Sequence, residues 1–186
     1  INSLEKALNA HPAIENADLS VSVNGDVKID VLQRTPLVRV ITMSGESYYI
    51  DSQSKLMPLS DKFTARVLVV NGHIYEPFVR RNMYSVKEIA KNEIFSEVSM
   101  LDDIYEMATY ITNDSILNPL IQQLSINEER EFEMYPSVGG HKIIFGEAKD
   151  IAEKFEKLKL FYNEGLNKTD NWNKYEGYPG SDGLNY

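Results

Sequence analysis

The chain has 186 residues, 42% of them hydrophobic and 25% charged, enough for one large or two small domains and incompatible with wholesale disorder. Nineteen Lys and Arg against 28 Asp and Glu leave a formal net charge of −9, which repels a phosphate backbone and sets nucleic acid aside as a partner. With zero cysteines, disulfides, thiolate nucleophiles and Cys-ligated metal sites are excluded.

The opening Ile1-Asn2-Ser3-Leu4-Glu5-Lys6 has no basic stretch leading into an apolar run, so it is not a signal peptide. It reads as helix, with Leu4, Ala7 and Leu8 on one face, and suggests an excised fragment that begins inside a secondary-structure element, with room for a signal or anchor upstream. Pro12 should stop that helix, because its ring cannot continue one. Ala17, Leu19, Val21 and Val23 then alternate with polar residues, Asn24-Gly25 offers the positive φ values of a type I′ turn, and Val27, Ile29 and Val31 alternate beyond it. Residues 17 to 33 therefore predict a β-hairpin. Leu37 to Ile41 is a short apolar piece, readable as strand or helical turn; Ser44-Gly45 is a turn, Tyr48-Tyr49-Ile50 a strand, and residues 51 to 54 another turn before Leu56-Met57-Pro58. Residues 67 to 70 form a buried-type strand closed by Asn71-Gly72, far shorter than the roughly 20 apolar residues of a membrane helix.

From here the pattern turns helical. Ser85 with Glu88 has capping-box spacing, followed by the stripe Val86, Ile89, Ala90 and Ile94; Ser99 with Asp102 resembles a second cap before Leu101, Ile104, Tyr105, Ala108 and Ile111, ending near Asn113. Residues 120 to 126, 130 to 135 and 142 to 145 read as strands, the last two joined around Ser137-Val138-Gly139-Gly140. Residues 147 to 164 form an amphipathic helix with Ile151, Phe155, Leu158 and Tyr162 on one face and Gly165 as its C-cap. The tail from Asn171 has no period. The order of elements predicts an α+β fold with mostly antiparallel pairing.

Chemistry is sparse. His11, His73 and His141 lack the i, i+4 spacing that places two imidazoles on one metal, and no Gly-x-Ser-x-Gly elbow exposes a serine. Val138-Gly139-Gly140-His141-Lys142 has the wrong glycine spacing for a phosphate loop, with Ile143 where a magnesium-binding hydroxyl belongs. Asp102-Asp103 and Glu128-Glu129-Arg130-Glu131 are the carboxylate runs. Adjacent residues diverge, so they read as solvated faces rather than a hydrolytic pair. Trp172 sits in the tail with Tyr175, Tyr178 and Tyr186, as an interface anchor or a packing residue.

One string of segments has a family likeness. His11-Pro12-Ala13-Ile14-Glu15-Asn16-Ala17, the hairpin ending Val31-Leu32-Gln33-Arg34-Thr35-Pro36-Leu37-Val38-Arg39-Val40, then Tyr48-Tyr49-Ile50-Asp51, Leu56-Met57-Pro58-Leu59-Ser60 and Val67-Leu68-Val69-Val70-Asn71-Gly72 together resemble the FtsQ/DivIB cell-division family, most closely its Bacteroidetes-type versions. The resemblance implies the later half of a POTRA-like domain over residues 1–72 and a mostly antiparallel β domain with flanking helices over residues 73–186. It implies a non-catalytic scaffold with no cofactor or metal, at the periplasmic face of the inner membrane and held there by a helix outside this chain. Its implied partners are FtsB and FtsL homologues, bound by β-strand addition. Lys174, Tyr175 and Tyr178 are the implied partner contacts, supported by the hairpin around Arg130, Phe132 and Glu133, although residues 175 to 180 lack alternation and include Pro179. The competing readings are another POTRA-bearing envelope protein that handles outer-membrane substrates, and an acidic cell-wall hydrolase.

Overall fold

A computed structural model describes residues 2–76, 85–91 and 99–168, with side chains through residue 164. Helix α1 (Asn2–Asn9) ends before Pro12, and Asn9 fastens it to β1 (Ile14–Val21): its side-chain amide donates to the Ala17 carbonyl at 2.9 Å and accepts the Ala17 N–H at 2.8 Å. β1 pairs antiparallel with β2 (Val27–Gln33), Leu19 opposite Ile29 and Ala17 opposite Val31. Only Ala17 of these strands is buried.

The hairpin is as expected, but its turn is not type I′. The Ser22 N–H donates to the Asp26 carbonyl and the Gly25 N–H to the Ser22 carbonyl. Gly25 has φ +85°, whereas Asn24 is not in the left-handed region. This is a three-residue loop in which a type I turn leads into one left-handed residue. The same bonds recur from Thr42 to Glu46 with Gly45 at φ +84°, from Asp51 to Lys55 with Ser54 at +67°, and from Asn127 to Glu131 with Arg130 at +64°.

A seven-stranded sheet follows, in the order β5-β4-β3-β6-β7-β8-β9. Its strands are β3 (Pro36–Ile41), β4 (Ser47–Asp51), β5 (Leu56–Pro58), β6 (Leu68–Gly72), β7 (Ile121–Ile126), β8 (Phe132–Pro136) and β9 (Ile143–Gly146). Two antiparallel meanders, β3 to β5 and β7 to β9, meet on β6, which runs parallel to both of its neighbours. The fold is α+β with mostly antiparallel pairing, as the sequence predicts. The division expected between residues 72 and 73 falls inside this sheet, where the His73 N–H bonds to the Ile126 carbonyl at 2.8 Å.

The crossover from β6 to β7 carries α2 (Val86–Ala90), α3 (Leu101–Asn113) and α4 (Leu117–Leu120), and α5 (Ile151–Lys168) follows β9. α3 buries Leu101, Ile104, Met107, Ala108 and Ile111, a stripe of helical period, in one core with Val38, Val40, Val70 and Leu124 of the sheet. Phe155 of α5 lies 4.9 Å from the rings of both Tyr110 and Phe145. Along β7 and β8 the apolar Leu124, Ile126, Phe132 and Met134 are buried, while Gln123, Ser125, Glu133 and Tyr135 are not, the alternation of a sheet with one wet face. Gly72 is obligatory: a Cβ on it would stand 2.2 Å from the Ile126 carbonyl oxygen.

Ser85 and Glu88 form the predicted capping box, with the Ser85 N–H donating to Glu88 Oε2 at 2.6 Å and the Glu88 N–H to Ser85 Oγ at 3.2 Å. These bonds draw the Glu88 carboxyl down to about 2; Ile94 lies outside the described residues. The second cap does not form. The N-cap of α3 is Met100, whose N–H is taken by Glu76 Oε1 at 2.6 Å, and Ser99 Oγ serves Leu101 instead. α5 begins at Ile151, after Asp150 at φ +51°, and continues through Gly165 to Lys168, so Gly165 is not its C-cap.

Candidate partner-binding edge

The two margins of the sheet differ. β5 is three residues long and ends in Pro58, which has no N–H to offer. Its start is already engaged, because Lys55 forms a bridge with Ser85 and the Val86 N–H donates to the Ser54 carbonyl at 2.8 Å. At the other margin β9 pairs with β8 through Ile143 opposite Met134 and Ile144 opposite Glu133, with a bulge beyond. Among the described residues no strand pairs with its outer side. Among the described residues, then, the outer backbone donors and acceptors of β9 have no strand partner, the feature by which a sheet edge can take up an added strand.

The side chains around β9 divide by face. Phe145 points inward onto Phe155, with the Lys154 ammonium 4.9 Å above its ring. Ile144 points outward and is 72% exposed. Beside it Lys142 Nζ donates to Glu133 Oε1 at 2.8 Å and the Tyr135 hydroxyl to Glu133 Oε2 at 3.2 Å. The Lys142 bond is the main reason the Glu133 carboxyl lies below its ordinary range. The edge thus offers one apolar side chain beside an ordered cluster of Lys142, Glu133 and Tyr135.

Of the residues singled out from sequence, Glu133 stands at this edge. Phe132 is fully buried and turns its ring into the core. Arg130 is a turn residue whose guanidinium donates to the Ser99 carbonyl at 2.9 Å and approaches Met100 Sδ at 3.1 Å, holding the start of α3. Lys174, Tyr175, Tyr178 and Trp172 lie outside the described residues. Ile144 and Lys142 were not singled out. The available signal was the run Ile143-Ile144-Phe145, which cannot bury every member on one face of a strand.

The acidic runs scatter. Asp102 lines a groove between α2 and α3 with Tyr105 and Glu106. Asp103, Glu129 and Glu147 share a smaller cleft with Arg130 and Lys149, where burial first and Asp102 second push the Asp103 carboxyl up to about 6. Glu128 faces His73 at 3.6 Å, His11 Nδ1 accepts the Ala13 N–H, and His141 pairs with the Tyr162 hydroxyl at 2.6 Å. Among the described residues no group of three His, Asp or Glu side chains is arranged to hold a metal ion, and no helix is long and apolar enough to cross a membrane.

A family model described as FtsQ/DivIB, C-terminal related, matches residues 35–177. The chain belongs to this family. The matched region starts at the threshold of β3 and takes in the whole seven-stranded sheet, while α1 and the β1–β2 hairpin precede it. Comparison with curated proteins finds no significant match. FtsQ/DivIB proteins are non-catalytic scaffolds of cell division, membrane-anchored with an extracytoplasmic domain, and their partners are other division proteins.

Proposed function

We propose that this chain is a non-catalytic division scaffold that receives an extended segment of another division protein on the open edge of β9. FtsB and FtsL homologues are the partners, met at the periplasmic face of the inner membrane, with the anchoring helix outside this chain. In this reading α1 and the β1–β2 hairpin belong to a POTRA-like unit, and the sheet from Pro36 onward is the β domain.

The observation that carries the reading is the contrast between the margins: β5 is closed by Ser85 and Pro58, whereas β9 has no outer strand partner among the described residues and carries the exposed Ile144. Four residues of edge supply only a few main-chain bonds, each worth about 1 kcal/mol net. Side-chain contacts at Ile144 and around Glu133 then decide which strand is accepted. Such an interface is small and reversible, as a stage-specific assembly requires.

Co-purification of the extracytoplasmic regions tests this. Binding to an FtsB or FtsL homologue is expected, and Ile144→Asp should weaken it at least tenfold while the circular dichroism spectrum is unchanged. Absence of binding to either partner, or full affinity in Ile144→Asp, would overturn the assignment.

A further inference from the structure

The β4–β5 turn makes more connections than closing a hairpin requires. The Asp51 side chain is 1% exposed; Oδ1 accepts the N–H groups of Gln53 at 2.9 Å and Lys55 at 2.7 Å, and Oδ2 takes Nη1 of Arg34 at 2.8 Å. Arg34 stands between β2 and β3, and its own N–H donates to the Ala13 carbonyl, back in the hairpin unit. The Ser52 N–H donates to the Thr35 carbonyl, and the Gln53 side-chain amide reaches the Glu15 carboxylate on β1. On its other side the same turn receives the Tyr105 hydroxyl on the Ser52 carbonyl at 2.9 Å and the Val86 N–H on the Ser54 carbonyl at 2.8 Å.

Beside these bonds a cleft of about 710 Å³ opens between the hairpin unit and the sheet, lined among others by Pro12, Gln33, Tyr49, Met57 and Phe63. An apolar interface would hold the two units through many small contacts. A cleft beside a few directional polar bonds leaves the angle between them to those bonds.

We propose that the β4–β5 turn is a clamp, pinned by Arg34 and Asp51, that fixes the angle of the α1–hairpin unit to the sheet and ties that angle to the seating of α2 and α3. The pair suits the task. A guanidinium meeting a buried carboxylate is short and strongly oriented, and at this burial salt screens it little. The clamp goes beyond the partner-binding reading and holds whichever strand β9 receives.

Because the chain has no cysteine, a pair of spin labels can be placed cleanly on the full chain, with Lys28→Cys in β2 and Gln122→Cys in β7, and their separation read by double electron–electron resonance. With the clamp intact a single narrow distance distribution is expected. Arg34→Gln should at least double its width while amide exchange in β6 and β7 stays as protected as before, because Asp51 keeps the Gln53 and Lys55 donors and the core is untouched. Arg34→Lys, which restores the charge, should narrow the distribution again. A broad distribution in the doubly labelled parent, an unchanged width in Arg34→Gln, or global unfolding of that variant would each overturn the proposal. Partner affinity enters none of these readings, so failure of the clamp and failure of the strand-addition site are told apart.

Discussion

Replacing Ser54 by glycine should stabilise the protein by about 1 kcal/mol, a net figure built from four terms. Ser54 sits at φ +67°, a left-handed conformation that costs a residue with a Cβ about 1 kcal/mol and glycine almost nothing. Its hydroxyl is buried and has no hydrogen-bond partner, so deleting it recovers about 1 to 2 kcal/mol of desolvation cost. Against this, glycine gives the unfolded chain extra freedom worth about 0.7 kcal/mol, and removing the buried CH₂ forfeits about 0.8. Urea unfolding should show a higher midpoint at unchanged slope, and calorimetry a rise of roughly 2 to 4 °C for a chain of this size. Ser54→Ala separates the contributions: it removes the hydroxyl but keeps the Cβ, the buried carbon and the left-handed strain, so by the same terms it should gain about 1 to 2 kcal/mol, at or slightly above glycine. Arg130→Gly, at nearly the same φ, should instead destabilise, because it also removes the bonds to Ser99 and Met100. If Ser54→Gly is neutral or less stable than the parent, backbone strain and an unsatisfied hydroxyl are not what this turn carries.

Three further outcomes follow from geometry and charge. Gly72→Ala would drive a methyl group into the Ile126 carbonyl and separate β6 from β7, so loss of cooperative unfolding and of the near-ultraviolet dichroism is expected; a native-like melt would refute the close approach. Asp103, held up to about 6 from an ordinary 3.8, gives a definite sign: the folded state binds the proton more tightly than the unfolded chain, so this contribution is complete below about 3.8 and is lost as pH rises through about 6. Asp103→Asn should therefore raise the melting temperature more at pH 7 than at pH 4, and an equal shift at both would refute it. Asp114, drawn down to about 2 mainly by Lys159, acts in the opposite sense: its contribution is present above about 3.8 and fades as pH falls towards 2.

Local signals in the sequence located almost every element, because each rests on neighbours in the chain. The Ser85–Glu88 box set the start of α2, the stripe from Leu101 to Ile111 gave α3, and alternation gave the β1–β2 hairpin. The turns were harder for a physical reason. Each of the four begins with Ser22, Thr42, Asp51 or Asn127, whose side chain bonds the backbone four residues on. That bond helps hold the left-handed residue in place, so Ser54 and Arg130 stand where glycine alone would have been sought. The position of β6 between two meanders is invisible locally, since parallel pairing joins segments far apart in sequence. The candidate site was half legible. Glu133 was named from the sequence and stands beside β9, but an unbroken Ile143-Ile144-Phe145 run does not say which member faces water, and Lys174, Tyr175 and Tyr178 lie outside the described residues.

Placing β6 in the middle has a consequence for how the molecule is made. Each meander closes through short turns and can assemble early, but neither meets the other until the chain from His73 to Leu120 has looped round to bring β7 against β6. Closing a loop of that length costs entropy before the β6–β7 pairing repays it, so this pairing is expected to be the slow step of folding, with the borders of β6 and β7 unpaired until then. Nascent chains caught at that stage are the ones most exposed to aggregation.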